Sequence, residues 1–451
     1  MQELNLAYKY PIIYWNTANL IVDSGSLEAG NNESTDYGKI ATSIATMKKE
    51  GIDIALPLIN EAEFSFVPDV KNNRIIYSLK ALCGLGDSDA QDVIDKQPYN
   101  SFEDFLDRTA LKNKAIIALI KAGAFTELDN ADTKKTMKKF IYKKLFTRCE
   151  KLTFSQFNQL EQMNIVPEEL QEIVKIKNFK SYVLDNYFFY KNVINKDKKV
   201  PKVGYHDRLF IMDEQAMKFF TEHFSEERIV VGIKGDNYVI SEKEFTKEWK
   251  KQIQPLADWF QKEDVLELFN QMKFKELWNK YAAGTNAKWE MDALSFYYTE
   301  HELAHLDTEY YGLVDFSKLP EEPEPYDYYV RYISGERKEI PKNKIERIAG
   351  TVINKNNDKH LVTLLTTDGV VNVKMGKGQY SFYNRRISKD GSVVDDGWFK
   401  RGTKLFICGY RRDSQFFAYR YKDTIYQHTV MKITDLYDDG KAEIMTERIK
   451  V

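Results

Sequence analysis

Three groupings of residues in this chain could do chemistry. The first is His301-Glu-Leu-Ala-His305, which has the HExxH spacing. On a helix, two such histidines can hold a zinc ion while the glutamate acts as general base. A third ligand is needed, and Glu321 and Glu324 qualify by position alone. They fall in a proline-rich stretch, whereas a metal ligand belongs on a rigid element. The second grouping is a pair of glycine turns, in Leu82-Cys-Gly-Leu-Gly86 and Leu119-Ile-Lys-Ala-Gly-Ala-Phe125. Each ends a short apolar stretch beside amphipathic sequence, as in a helix-hairpin-helix pair. Turn glycines let backbone N–H groups approach a phosphate, and the positive end of the next helix dipole points there. Gly84, Gly86 and Gly123 are therefore candidate contacts to duplex backbone, made without reading bases. The plainer alternative is a turn that only packs two helices. The third grouping is Lys374, Lys377, Tyr380, Phe382, Tyr383, Arg385 and Arg386, with Trp398, Lys400 and Arg401 nearby. Interleaved rings and cations suit single-stranded DNA, where bases stack on aromatics and cations follow the phosphates. The alternative is barrel core with a solvated rim.

These residues need elements to hold them. Residues 14–22 and 38–50 read as helices, the second closed by Gly51. Apolar stretches 64–67 and 74–77 flank Lys71-Asn-Asn-Arg74, a hairpin signal. The glycine-turn region spans 78–128, its halves joined by the capped helix start Ser101-Phe-Glu-Asp-Phe105. Residues 132–199 are helical and lysine-rich, and the dense basic face of 134–151 reads first as a solvated helix surface. Residues 228–240 alternate like strands around Lys234-Gly-Asp-Asn237, and 242–298 are helical again. Leu319-Pro-Glu-Glu-Pro-Glu-Pro325 is an acidic linker. After it, 345–352, 361–366, 370–375, 404–411 and 416–421 are short apolar strands. Five such strands in ~90 residues suit a small closed barrel of the OB type.

Composition narrows the class. The 451 residues are 43% hydrophobic, enough for about two to four domains. Net charge is −2, but residues 331–432 hold 21 basic and 10 acidic residues. A basic C-terminal module on an acidic body suggests a local polyanion site. Cys83, Cys149 and Cys408 are far apart, which forms no disulfide framework and fits a reducing cytosol. No apolar run approaches ~18 residues, and the N-terminus lacks a signal-peptide core, so a cytoplasmic location is expected.

With these residues placed, an ordered set of motifs resembles the bacterial replicative DNA polymerase III α subunit, a C-family polymerase. The set is Tyr10-Pro11 before a helix, Met47-Lys-Lys-Glu-Gly-Ile52, Leu56-Pro57 with Ile59-Asn60, and the hairpin leading into Leu79-Lys-Ala-Leu-Cys-Gly-Leu-Gly86. Ser101-Phe-Glu-Asp-Phe105 and Leu119-Ile-Lys-Ala-Gly-Ala-Phe125 continue it. Leu294-Ser-Phe-Tyr-Tyr-Thr-Glu-His301 looks like the segment before that family's OB domain, and Ile348-Ala-Gly-Thr-Val352 like its first strand. The match covers roughly 1–130 and 290–435.

The resemblance implies the C-terminal, DNA- and clamp-binding portion of such a polymerase. The family's palm carries carboxylates that hold two Mg²⁺ ions. Asp87-Ser-Asp89 is the nearest pair here, and a helix N-terminus explains it better. The catalytic palm and its Mg²⁺ are thus expected in a partner portion or subunit, with no cofactor in this chain. The family often has a lysine before the first turn glycine; Cys83 stands there instead. His301 falls where the family has its own histidine, so its HExxH match looks accidental. The resemblance also implies a sliding clamp as partner, engaged by a short peptide upstream of the OB domain. Gln254-Pro-Leu-Ala-Asp-Trp-Phe260 is the candidate, with Leu256, Trp259 and Phe260 as anchors behind the leading Gln254; Leu266-Glu-Leu-Phe269 is a rival. The alternatives are a free-standing DNA-binding accessory factor and a zinc metalloprotease.

The expected fold is a multi-domain α+β chain. Its N-terminal two-thirds are mostly helical with tandem helix-hairpin-helix, and a C-terminal OB-type β-barrel follows. The expected divisions are 1–77, fingers-end-like; 78–130, tandem helix-hairpin-helix; 131–318, a helical middle region; 319–336, linker; 337–434, OB-fold; and 435–451, tail.

Overall fold

Two helices open the described chain: α1 (Ile12–Ser24) and α2 (Tyr37–Lys49). The computed structural model describes residues 11–27, 34–128, 132–189, 209–387, 393–395, 397–419, 421–422, 426–446 and 449–450. Two units emerge, Met1–Phe140 with Tyr281–Val451, and Ile141–Lys280. Asp36 caps α2 by accepting the Lys39 N–H at 3.1 Å, and Gly51 follows its end at φ 82°. Strands β1 (Asp53–Ala55), β2 (Val67–Asp69) and β3 (Arg74–Ile76) form a sheet of order β1-β3-β2. The hairpin expected from 64–67 and 74–77 is β2–β3, but its first strand lies further along, at Val67–Asp69, with Asn73 turning the chain at φ 49°. Three-residue β1 was not expected, because so short a stretch shows no alternation.

Four helices then build the glycine-turn region: α3 (Asp87–Asp95), α4 (Phe102–Arg108), α5 (Asn113–Lys121) and α6 (Thr133–Phe140). Ser101 caps α4 through the Asp104 N–H at 3.0 Å. Phe102 and Phe105 both meet Phe125 edge-on, at 4.9 and 4.8 Å between centroids. The Asn60 side chain clasps the Tyr99 backbone from both sides, at 2.8 and 2.9 Å.

Unit 141–280 starts with a π-helical turn, Ile141–Leu145. It continues through α7 (Phe154–Gln162), α8 (Gln171–Tyr187), β4 (Leu209–Ile211), α9 (Glu214–His223), β5 (Val230–Lys234), β6 (Asn237–Ser241), α10 (Glu242–Gln252), α11 (Gln254–Phe260) and α12 (Glu263–Ala282). The strands read from sequence around Lys234-Gly-Asp-Asn237 are β5 and β6, joined by a two-residue loop with Gly235 at φ 62°. Among the described residues, two large apolar cores hold this unit, beside a small cluster of Leu209 and Val239. One centres on Phe210, Phe220 and Phe245, the other on Phe157, Leu256 and Phe260.

The first unit resumes with α13 (Asn286–Leu294) and a hairpin of β7 (Pro325–Ile333) and β8 (Glu336–Asn343). Both faces of this hairpin are exposed. It takes in the second half of the stretch read as linker, while Leu319 sits in the barrel core. The barrel strands are β9 (Glu346–Asn356), β10 (Leu361–Thr366), β11 (Gly369–Lys374), β12 (Lys404–Arg412) and β13 (Gln415–Ala418). Their ranges match the five strands read from sequence within a few residues. The order β9-β10-β11-β13-β12 closes because β9 also pairs with β12. A bulge between Val352 and Asn354 bends β9 so that its two halves serve different neighbours. Helix α14 (Lys377–Asn384) lies between β11 and β12 in sequence.

Strand β12 is apolar on both faces for a reason. Leu405 and Ile407 point into the barrel, while Phe406 and Cys408 pack under Leu303, Leu306 and Tyr311 outside it. Strands β14 (Val430–Leu436) and β15 (Ala442–Thr446) extend the sheet beyond β12. Among the described residues, no helix is long and apolar enough to cross a membrane.

Candidate nucleic-acid interface

The two glycine turns owe their glycines to backbone conformation and close packing. Gly84 has φ 99°, and a Cβ there would lie 3.5 Å from Ala118 Cβ and 3.6 Å from Lys114 Cε. The turn therefore lies against α5. The Cys83 N–H is taken by the Ala293 carbonyl at 2.9 Å. Gly86 caps α3 and donates its N–H to Asp89 Oδ2 at 3.4 Å; Asp87 pairs with Lys80 at 2.6 Å. Two carboxylates thus face the first turn of α3, where they complement the dipole and oppose a phosphate. Gly123 closes α5 at φ 74°, with its N–H on the Ile120 carbonyl at 3.0 Å. A Cβ there would meet Leu56 Cδ1 at 3.0 Å.

Cys83 belongs to a polar knot. Its Sγ lies 3.3 Å from Ser295 Oγ, which accepts from Arg401 Nη1 at 3.0 Å. The Arg401 guanidinium stacks 4.4 Å over the Tyr37 ring. Burial and the neighbouring Cys83 push the Tyr37 hydroxyl up to about 12, with Arg401 opposing.

The HExxH stretch is not a metal site. Residues 301–305 form turns, not a helix. His301 Nδ1 accepts the Leu303 N–H at 3.0 Å, and Nε2 lies 2.9 Å from the Leu365 carbonyl, which needs the proton on Nε2. Both ring nitrogens are occupied, and burial holds the pKa below its ordinary value. His305 lies 3.1 Å from Glu300, and Glu302 pairs with Lys404 at 3.3 Å. No group of three His, Cys, Asp or Glu among the described residues could hold a metal ion. The zincin alternative is therefore withdrawn.

The interleaved rings and cations sort by helical period. In α14, Tyr380 and Tyr383 face inward and are buried, while Lys377 and Arg385 are exposed at the helix start and just past its end. Trp398 is fully buried in the same core, and Phe382 packs against it half-buried. Tyr380 and Trp398 cannot serve as stacking surfaces, because their faces are covered by barrel side chains. Lys374 donates to the Lys359 carbonyl. The Arg386 side chain lies outside the described residues. Sequence reasoning missed Lys355, at the far end of β9. Its Nζ donates to Asn384 Oδ1 at 2.7 Å. Partial burial, then Lys400 and Arg385 as like charges, lower its pKa. Three cations thus crowd one rim of the barrel. The only signal was the polar run Asn354-Lys-Asn-Asn-Asp358 after a strand.

The proposed clamp peptide is core. Leu256 is 0% exposed, Trp259 8% and Phe260 2%, all packed in unit 141–280. Gln254 bonds to Asp258 of its own helix at 2.7 Å. The rival fares no better: Leu268 is exposed but Phe269 is buried. A clamp pocket needs neighbouring anchors presented together, so both peptide assignments are corrected.

A helix-hairpin-helix motif family matches residues 51–136, which span β1 to α6. The whole chain is similar to DNA polymerases. It is 37% identical, over its full length, to the probable DNA polymerase YorL of Bacillus subtilis strain 168 and to the DNA-directed DNA polymerase of Bacillus phage SPbeta. It spans about a third of their length, 34%. Over 130 residues, 27% of this chain and 10% of the relative, it is 31% identical to the DNA polymerase III subunit alpha of Campylobacter jejuni.

Proposed function

We propose that this chain is the DNA-holding, C-terminal portion of a C-family replicative DNA polymerase, with the catalytic palm and its Mg²⁺ supplied by another portion or subunit. The observation that carries this reading is the 37% identity to DNA polymerases along the entire chain. The helix-hairpin-helix match over 51–136 supports duplex contact, read here as a tandem pair with Gly84, Gly86 and Gly123 at the turns. That segment holds 10 basic and 14 acidic residues, and the Cys83, Gly86 and Gly123 N–H groups are bonded within the protein, so its grip would rest on a few individual lysines rather than on bulk charge. The barrel's strand order, and the helix between its third and fourth strands, support an OB-type module. Its rim cations Lys355, Arg385 and Lys400, with Lys377 and Arg386, would follow a single strand's phosphates. A sliding clamp would have to be engaged through a segment other than 254–260.

The test is a primer-template assay with the purified chain. It should bind primer-template DNA with little sequence preference and with affinity that falls as salt rises. It should extend no primer with Mg²⁺ and all four nucleotides, and should co-purify with a palm-bearing polymerase chain. Template-dependent synthesis by this chain alone, abolished by a substitution within it, would refute the proposal, as would the absence of DNA binding.

A further inference from the structure

Unit 141–280 carries a row of rings that the functions above do not use. Tyr142 projects from the π-helical turn and is 50% exposed. It stacks on Phe274 of α12 with centroids 4.5 Å apart and planes 23° apart. Phe146 meets both rings edge-on, at 5.4 and 6.0 Å. Trp278, one turn further along α12, continues the row 6.3 Å from Phe274. Among the described residues, none of the four rings belongs to the cores around Phe245 and Phe157. Tyr142 is the exposed end of this row, and Phe146, Phe274 and Trp278 are half-buried beside it; an aromatic patch left partly open to solvent and rimmed by polar residues marks a contact site.

Cations surround the row. Lys143 and Lys144 follow Tyr142 in the same turn and are exposed. Lys273 Nζ lies 6.0 Å from the Phe146 centroid and donates to the Thr147 carbonyl at 3.1 Å. Residues 134–151 hold eight basic residues and one acid, Glu150. The base of the row is fixed. Asn270, 4% exposed, binds both the N–H and the carbonyl of Cys149, at 2.7 and 3.0 Å, and so ties the following segment to α12. In the π turn the Phe146 N–H reaches back to the Ile141 carbonyl at 2.8 Å. A π turn is uncommon, and such turns collect at functional sites.

We propose that Tyr142, Phe146, Phe274 and Trp278, flanked by Lys143, Lys144 and Lys273, form a stacking platform for unpaired bases of single-stranded DNA. The ligand must offer flat apolar faces and a run of negative charge together, and a single strand offers both. A duplex hides its base faces, and an acidic peptide would satisfy the lysines while leaving the rings bare. The platform rests on the reading that this chain works on DNA, yet none of its residues falls within the helix-hairpin-helix match or the barrel.

The test uses the full chain and oligo-dT, with affinity read by fluorescence anisotropy at fixed salt. Tyr142→Ala should weaken binding at least about fivefold, and Tyr142→Phe, which keeps the ring, should stay within about twofold of the parent. Lys143→Ser with Lys144→Ser should weaken binding and flatten its salt dependence. Tyr142 is half exposed, so the variants should melt with the parent by circular dichroism. In the parent, a bromodeoxyuridine oligonucleotide should photo-crosslink to peptides carrying Tyr142 or Trp278. Parent-like affinity for Tyr142→Ala, with cross-links confined to the barrel, would overturn the platform and leave the polymerase reading standing. Polyglutamate competing as well as oligo-dT would also overturn it. A parent chain that binds no DNA of any kind would overturn both.

Discussion

His301 carries a pH dependence that follows from its burial, with the Leu365 hydrogen bond opposing. Burial lowers its folded pKa below the ordinary 6.5, so the unfolded chain binds a proton more readily than the folded one. Its contribution to stability is present above about pH 6.5 and is lost as pH falls through the lowered folded value. In His301→Gln, which can still donate to Leu365, the melting temperature should fall less between pH 7 and pH 5 than in the parent. Calorimetric melts across that range check this, and equal slopes would count against it. Trp398 makes a second residue-level test. Fully buried among Tyr383, Leu405 and Phe416, its truncation to alanine should cost ~3–5 kcal/mol in urea unfolding. For this ring and Tyr380 the sequence offered both a stacking surface and barrel core, and did not decide between them. Gly376 and Gly378 make residues 374–386 read as a loop. The α14 helix imposes a 3.6 period that turns tyrosines in and cations out.

At the level of elements, patterns long enough to show their period were legible. The barrel strands, α2, the β2–β3 hairpin and the β5–β6 turn all follow alternation or glycine placement visible in the chain. Burial of α11 was not, because Leu256, Trp259 and Phe260 have the same composition whether they face a partner or a core. Trp259→Ala should therefore destabilise unit 141–280 by ~3–5 kcal/mol, with tryptophan fluorescence and proteolysis reporting the loss. A selective loss of clamp binding in a stable protein would show the opposite. The glycine turns give a milder test. Gly123→Ala forces a side chain into φ 74° and against Leu56, and should cost ~1–3 kcal/mol in chemical unfolding.

Across the whole molecule, the barrel does not stop at its expected limits of 337 and 434. Leu303, Leu306 and Tyr311 cover its outer face, Leu319 plugs its core, and β15 pairs with β14. A fragment of 299–446 should be soluble and melt cooperatively, whereas 337–434 should expose the Phe406–Cys408 face and aggregate; size-exclusion profiles would tell them apart. The first unit also joins distant stretches of chain. A Cβ on Gly38 of α2 would lie 2.5 Å from Asn354 Nδ2 of β9, and Asn354 reaches Asp36 at 3.4 Å. During synthesis, α2 leaves the ribosome long before the strand it seats against. These partners are 318 residues apart, so at ~5–20 residues per second the wait is roughly 16–64 s. In that interval unit 141–280 is made complete and can fold, while α2 has α1 and β1 beside it but lacks the barrel strands β9 and β11. A nascent chain stalled before residue 346 should thus leave α2 open to protease and the inserted unit already resistant.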